Sequence, residues 1–470
     1  MMDTIGPLCL HPDNPHYFLY KGKAMALITS AEHYGAVING AFDYITYLQT
    51  LKAAGMNYTR IFAGTYFEIP GAFNIQHNTL APSPDDRTLP WTTILDPTQG
   101  LIRYDLIRWN DTYFNRLHDF MKLADTLDII VEVTLFSSIY SEDTWSLLPG
   151  NPKNNINIDH PISKIQAHTL DNGELLIHQE NFVRKLVEEL NEYDHFFFEI
   201  QNEPWSDHPT TVLNTVNKED LLVDEWQQRV DYARESALAW QEKMASIIAN
   251  AEEDLPKKHL IAQNYANFKV SIPEVSSNIS ILNFHYAWPE AVTWNYNYDK
   301  VIGYDESGFA GSSDKVYRRH AWQFMLSGGG LFNNLDYSFY VGEEEGKGSN
   351  DAPGGGSVEL RFQLKVLSEF LHEFDLASLV PNNDLVIRSP GLQTFTMSDN
   401  AGTHAIYVRS HGVDSSYIDI QVHVSEYAVQ FLDPTTGKQS DALKMASEKG
   451  ILEVPVRISD SELALKITPF

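Results

Sequence analysis

Cysteine is all but missing from this chain: Cys9 is the single one in 470 residues. That excludes a disulfide within the chain and any thiolate metal cluster. Positive charge is scarce too, with 34 Lys and Arg against 63 Asp and Glu and a formal net charge of −29. Nucleic acid and anionic membrane both call for basic patches, so neither is an expected partner, and the balance suits a neutral or cationic substrate. No apolar run reaches the ~18 residues that a membrane-spanning helix needs. The opening MMDTIGPLCLHPDNP lacks the basic and apolar regions of a signal peptide. The expected location is the cytoplasm, or the periplasm or exterior should a leader precede this sequence. Also missing are the spacings HxH and HExxH, a GxGxxG turn, a P-loop and a GxSxG elbow. No metal or other cofactor is therefore expected.

What remains is an ordinary globular composition, 43% hydrophobic and 21% charged, in a chain long enough for one large domain and a smaller one. Eight short, nearly continuous apolar runs recur: AMALITS (24–30), NYTRIFAG (57–64), DIIVEVTLF (128–136), HFFFEIQN (195–202), HLIAQN (259–264), ISILNFHY (279–286), KVIGYDE (300–306) and GGLFNNLDY (329–337). Such runs suit parallel strands buried on both faces. Between them lie stretches with helical spacing, among them FDYITYLQTLKAAG (42–55), DEWQQRVDYARESALAWQEKMASIIANA (224–251) and VELRFQLKVLSEFLHEF (358–374). Eight alternations predict an α/β fold, a (β/α)8 TIM barrel, with a doubly wound sheet as the competing arrangement.

The barrel domain is expected over 1–377, with an N-terminal extension and long rim loops at 65–109 and 137–177. After residue 378 short strands alternate with turn residues, as in HAIYVRSH and ILEVPVRI, predicting a small all-β sandwich over 378–470. The segment GEEEGKGSNDAPGGG (342–356) reads as a mobile, solvated loop.

One stretch poses a chemical question. HFFFEIQNEP runs from three phenylalanines straight into Gln201, Asn202 and Glu203, and a buried strand should not end on an unpaired charge. At the C-terminal end of a fourth barrel strand, Glu203 would occupy the place where barrel carboxylates do chemistry. VIGYDESGF puts Glu306 at the same rim from the seventh strand. Two rim carboxylates in unlike environments can divide the work of acid and nucleophile. Strand alternation would turn only one of Asp305 and Glu306 into the barrel.

Asn202-Glu203-Pro204 ending a fourth strand, with Glu306 ending a seventh, resembles the retaining glycoside hydrolases of clan A, which include cellulases and mannanases. The resemblance implies a carbohydrate substrate, Glu203 as acid/base with a raised pKa, and Glu306 as nucleophile. It also implies carboxyl groups about 5–5.5 Å apart and a covalent glycosyl-enzyme intermediate. It further implies that Arg60 orients the nucleophile and that Asn202 bonds a sugar 2-hydroxyl. Where many members carry His-x-Tyr on the sixth strand, this chain reads Asn283-Phe284-His285-Tyr286, so either His285 or Tyr286 is open to that role. Glu32 and His33 are candidates to hold hydroxyls, and Trp205, Trp288, Trp91, Trp145 and Tyr337 are candidate sugar contacts. A glycan-binding protein without turnover is the alternative function. Oligomeric state is not legible in the sequence.

Overall fold

The computed structural model describes residues 6–96, 100–207, 209–216, 225–458 and 460–470. Its centre is a parallel barrel of eight strands: β1 (Leu27–Ala31), β2 (Tyr58–Phe62), β3 (Ile130–Ser137), β4 (Phe196–Asn202), β5 (Ile261–Asn267), β6 (Ile281–His285), β7 (Val301–Ser307) and β8 (Leu331–Leu335). All eight are buried along their whole length, which is why their sequences are continuous in apolar residues rather than alternating. The hydrogen-bonded order is β1-β8-β7-β6-β5-β4-β3-β2.

No ladder joins β1 to β2, and a side chain spans that seam. Asn57 accepts from the Ile28 N–H at 2.8 Å and donates to the Ala26 carbonyl at 2.9 Å. Higher up, the Phe62 N–H meets the Tyr34 carbonyl at 3.0 Å.

Outside the barrel run α1 (Tyr44–Ala53), α2 (Asp111–Thr126), α3 (Leu175–Leu190), α4 (Glu235–Glu252), α5 (Pro289–Thr293), α6 (Asp314–Met325) and α7 (Val358–His372). Their starts follow from local chemistry: Asp43, Asn110 and Ser357 each accept an exposed first-turn N–H of α1, α2 and α7. No helix separates β5 from β6, and only the short α5 separates β6 from β7. Among the described residues no helix is long and apolar enough to cross a membrane.

The two barrel ends differ. At the N-terminal end an antiparallel sheet of Cys9–Leu10, Phe18–Tyr20 and Lys23–Met25 closes the floor, and Leu8 and Phe18 pack there on Tyr58, Phe197, Ala262, Ile281, Val301 and Leu331. At the C-terminal end the loops are long and polar.

After α7 come β9 (Leu392–Ser398), β10 (His404–Ser410), β11 (Ser415–Gln421), β12 (Glu426–Leu432), β13 (Ile451–Arg457) and β14 (Glu462–Pro469). With shorter strands they form a six-stranded and a three-stranded sheet, stacked as a sandwich over an aliphatic core that includes Ile406, Ile420, Val454 and Leu465. The outer face of the larger sheet lies on the barrel: Tyr407 stacks on Trp322 of α6 at 5.3 Å, and Glu462 receives Arg318 and Arg319.

Two expectations are corrected. The helix read over 224–251 begins only at Glu235; Trp226–Gln228 is a tight turn and Arg229–Ala233 a strand, antiparallel to Pro209–Asn214 and touching β5 at Ala266. Residue 224 itself lies outside the described residues. The Gly-rich segment 342–356 is tied down rather than loose. Buried Arg361 donates to the Gly346 carbonyl, Glu344 accepts from the Asp43 and Gly342 N–H groups, and Asn350 bonds the His77 backbone both ways.

Candidate active site

The phenylalanine run of β4 supplies the barrel wall. Phe196, Phe197 and Phe198 are fully buried, and so is Glu199, which turns inward onto Arg60 of β2. The strand then ends abruptly because Glu203 adopts a left-handed backbone, φ +49°. Tyr34 just beyond β1 and Tyr286 just beyond β6 do the same, at φ +58° and +52°. Each such conformation costs a non-glycine residue on the order of 1 kcal/mol or more. All three swing their side chains into one cleft at the C-terminal end of the barrel.

The cleft has a volume of about 240 Å³, and His33, Tyr34, Glu68, Tyr140, Asn202, Glu203, Trp205, Trp226, Tyr286, Glu306 and Phe309 are in its lining. Glu203 and Glu306 face each other across its floor. Together with His285 they bring one donor atom each within 4.8 Å of one another. The Tyr286 hydroxyl bridges them, 3.1 Å from Glu203 Oε1 and 2.7 Å from Glu306 Oε1. Tyr140 donates to Glu203 Oε2 at 2.7 Å, and Tyr34 to Glu306 Oε2 at 3.2 Å. Arg60 Nη1 stands 3.4 Å from Glu306 Oε2.

Arg60 is the hub beneath this floor. It is fully buried and contacts Glu199, Asn202, Thr134 and Asp305 as well as Glu306. Glu132 lies 3.8 Å from its Nε and receives the Tyr58 hydroxyl. Burial raises the carboxyls of Glu132 and Glu199, the latter to about 7.

Asp305 and Glu306 are consecutive, yet both point inward. Asp305 reaches Arg60 at 3.4 Å and His285 Nε2 at 3.3 Å, while His285 Nδ1 contacts Glu203 Oε1 at 3.0 Å. The expectation that alternation would admit only one of them fails for a local reason. The β7–β8 register slips between Tyr304 and Ser307, and the β6–β7 register between Phe284 and His285. An extra residue in a ladder lets neighbours share a face.

The electrostatics also depart from expectation. Burial pushes the Glu203 carboxyl up, but the hydrogen bond and charge of His285, with Tyr140 and Tyr286, outweigh it, so its pKa is lowered rather than raised. Burial, with the Glu203 charge beside it, leaves Glu306 raised despite His285 and Arg60. Burial disfavours charge on His285, but Glu306, Asp305 and Glu203 prevail and hold its pKa well above the usual range. All three directions favour a proton on the imidazole between the acids.

The other candidates divide. His33 and Trp205 line the cleft, His33 paired with Glu68 at 3.3 Å and Trp205 set edge-on to His285 at 5.3 Å between centroids. Asn202 lines it too, its amide donating to Tyr140 at 2.9 Å. Tyr337 lies buried behind His33, 5.8 Å between rings. Glu32 does not reach the cleft: fully buried, it accepts from the Gly35 and Ala36 N–H groups and from Thr79, and shapes the loop that carries His33 and Tyr34. Trp288 also lies outside, with Lys269 4.2 Å above its ring. Trp91, and Trp145 from the 137–177 loop, line a separate small cavity with Phe136 and Phe182.

Cleft residues with no expected role are Tyr34, Tyr140, Glu68, Trp226 and Asp231. Tyr34 directly follows the candidates Glu32 and His33, and Trp226 was hidden in a stretch with helical spacing. Tyr140 and Glu68 carried no pattern, since their loops bring them in from afar. As for metal, Glu203, His285 and Glu306, and likewise Glu199, His285 and Asp305, have donor atoms within 4.8 Å of one another. The Glu203 and Glu306 oxygens are, however, already engaged by protein donors from Tyr34, Arg60, Tyr140, Tyr286 and Ser206. A set of hydrogen-bond donors around carboxylates suits a charged or proton-exchanging acid better than a cation.

No sequence-family profile matches the chain, and no curated protein sequence does. Solved structures do. A protein from Bacteroides vulgatus provisionally classed as a glycoside hydrolase superposes with a TM-score of 0.66 at 13% identity, covering 100% of this chain and 83% of its own. A glycoside hydrolase family 5 protein from the same organism gives 0.62 at 10% identity, over 99% of this chain and 94% of its own. An endo-1,4-β-mannanase from Rhizomucor miehei gives 0.50 at 12% identity, over 78% of this chain and 100% of its own. At these identities what is shared is the fold, a (β/α)8 barrel with, in the first two cases, the material that follows it.

Proposed function

We propose that the cleft is the active site of a retaining glycosidase, with Glu203 as acid/base and Glu306 as nucleophile. One observation carries the reading: two cleft carboxylates, with oxygens within 4.8 Å of one another, are bridged by a single tyrosine hydroxyl and held by unlike partners. The Tyr286 hydroxyl occupies the position between them, and the short separation fits double displacement, for which the carboxyl groups stand about 5–5.5 Å apart. The fold shared with glycoside hydrolases agrees with it.

The steps follow from the residues. Glu203 protonates the glycosidic oxygen as the bond to the anomeric carbon breaks, and Glu306 attacks that carbon from the other face to form an ester. Arg60, Tyr34 and Tyr286 hold Glu306 in line and stabilise its charge beforehand. When Glu203 is neutral it ceases to raise Glu306, so arming the acid also ionises the nucleophile. Glu203 then takes a proton from water, which cleaves the ester with retention. Asn202, oriented by Arg60 and Tyr140, is placed for the sugar 2-hydroxyl, and Trp205, Trp226 and Phe309 offer ring faces to the sugar.

We favour action at chain ends. The loop carrying Glu68, Phe73 and Leu80 lines one side of the cleft and is fastened to the 342–356 segment through Gln76–Asp351 and His77–Asn350. A wall so anchored shortens the cleft.

The test is product release from a panel of β-linked oligosaccharides and aryl glycosides, with β-mannosides and β-glucosides first, comparing wild type with Glu306→Gln and Glu203→Gln. Turnover should fall roughly a thousandfold or more in each variant. The first-formed product should keep the substrate's anomeric configuration by NMR, and chain ends should release one small sugar. Inversion would refute the nucleophile assignment. Glycan binding without turnover would move the protein to the class of binding modules.

A further inference from the structure

His285 was a candidate for holding sugar or nucleophile, yet it is fully buried, and both its ring nitrogens are directed at carboxylates. Nδ1 is 3.0 Å from Glu203 Oε1 and 3.6 Å from Glu306 Oε1. Nε2 lies 3.3 Å from Asp305 Oδ2, an ion-pair contact, and makes no hydrogen bond among the described residues. Trp205 closes one side of the ring edge-on, so the imidazole has no path to substrate.

We propose that Asp305, His285 and Glu203 form a proton relay, with Asp305 and His285 as positioning residues that charge the acid/base and fix where its proton waits. This rests on the glycosidase reading of the cleft. Asp305 keeps a proton on Nε2, so Nδ1 is the nitrogen that exchanges. In the free cleft Nδ1 carries the shared proton and Glu203 is ionised. As the leaving-group oxygen comes up to Glu203, the proton crosses from Nδ1 to Glu203 Oε1, leaving a neutral ring with Nε2–H towards Asp305. The Glu203 O–H bond then breaks as the glycosidic oxygen gains that proton and the sugar passes to Glu306. On the return half, Glu203 takes a proton from the attacking water and hands it back to Nδ1, so protons balance over the cycle.

The charges around the ring support this direction. Glu203 faces it from β4, and Asp305 and Glu306 face it from β7. Glu199 from β4 lies in the same cluster as Asp305. Arg60 from β2 touches Asp305 and Glu306 without contacting the ring, and Asn264 from β5 anchors Asp305 at 3.2 Å. An imidazole met by three carboxylates and no cation retains its proton. Asp305 keeps the inward parity of Val301 and Gly303, and the register slip in β7 brings Glu306 onto the same face.

Two measurements decide it, with Asp305→Asn as the variant and His285→Asn as a second should the first not fold. The first is the ¹⁵N spectrum of histidine-labelled protein, His285 being the signal lost in His285→Asn. In wild type it should remain doubly protonated through neutral pH, and in Asp305→Asn its titration should move down by about one unit or more. A neutral His285 at pH 6 in wild type, or an unmoved titration, overturns the relay whatever the protein's substrate. The second compares a dinitrophenyl glycoside, which needs no acid, with the phenyl glycoside of the same sugar. Asp305→Asn should lose about a hundredfold in kcat/KM on the phenyl substrate but under about tenfold on the activated one, with the basic limb of its pH profile moved down. Equal loss on both means a merely structural role and overturns the proposal. Failure of wild type on every glycoside removes the glycosidase reading instead, while the spectrum still judges the relay.

Discussion

The two cores of this molecule are opposites. The sandwich interior is mostly aliphatic, Ile406, Val408, Ile418, Ile420, Val454 and Leu465 meeting between sheets with Tyr427 among them. The barrel interior above its floor is ionic: Arg60, Glu132, Glu199, Asp305 and His285 are all buried there. A buried ion network is weak evidence for stability, since desolvation offsets most of its Coulomb gain. The sandwich core is built for cohesion alone. The barrel core spends cohesion on a fixed field at the cleft floor, with strained backbones at Tyr34, Glu203 and Tyr286 as a further expense.

Substitutions can break that contrast. The largest effect expected is from Arg60→Met, which leaves Glu199 and Asp305 buried with their main cation gone. It should cost about 3–5 kcal/mol in denaturant unfolding and abolish turnover. Next, Ile420→Ala in the sandwich should cost about 2–4 kcal/mol with kcat/KM unchanged, separating cohesion from chemistry; a matching loss of activity would couple the two cores.

A subtler comparison uses pH. Burial raises the Glu32 carboxyl to about 7, although Thr79, Ala36 and Gly35 oppose it. Its folded pKa lies above the unfolded value of 4.5, so the folded state binds the extra proton and stability falls as pH rises from about 4.5 to about 7. In Glu32→Gln that fall should be smaller by thermal melts at pH 5 and pH 8; an identical slope would show that Glu32 is not the group responsible. The smallest effect belongs to Trp288→Ala, outside the cleft, which should change kcat/KM by no more than about twofold. A larger loss would extend the substrate path to that tryptophan.

Much of this architecture was legible residue by residue. Eight doubly buried strands wrote themselves as apolar runs because both faces of a parallel barrel strand are covered. The abrupt polarity of Gln201-Asn202-Glu203 after three phenylalanines marked a strand leaving the wall for a cleft. The stretch 225–234 misled because its apolar residues fit a helical period, while its actual state is a hairpin strand set by pairing with Pro209–Asn214. Local propensity cannot see such a partner. Trp288 and Glu32 misled because adjacency to a strand end says nothing of the direction in which a loop turns.

Sequence alone determined the alternation of buried strands and helices, the change to an all-β region after the last helix, and the two strand-end carboxylates, because burial and period are properties of the residues in order. Only the tertiary structure decided which groups meet those carboxylates. Tyr34, Tyr140 and Arg60 come from other strands and loops, and a register slip in β7 lets Glu306 share the inward face with Asp305, which reaches His285. The directions of the pKa shifts were decided there as well, since a pKa is set by the charges that surround a group in space and not by its neighbours along the chain.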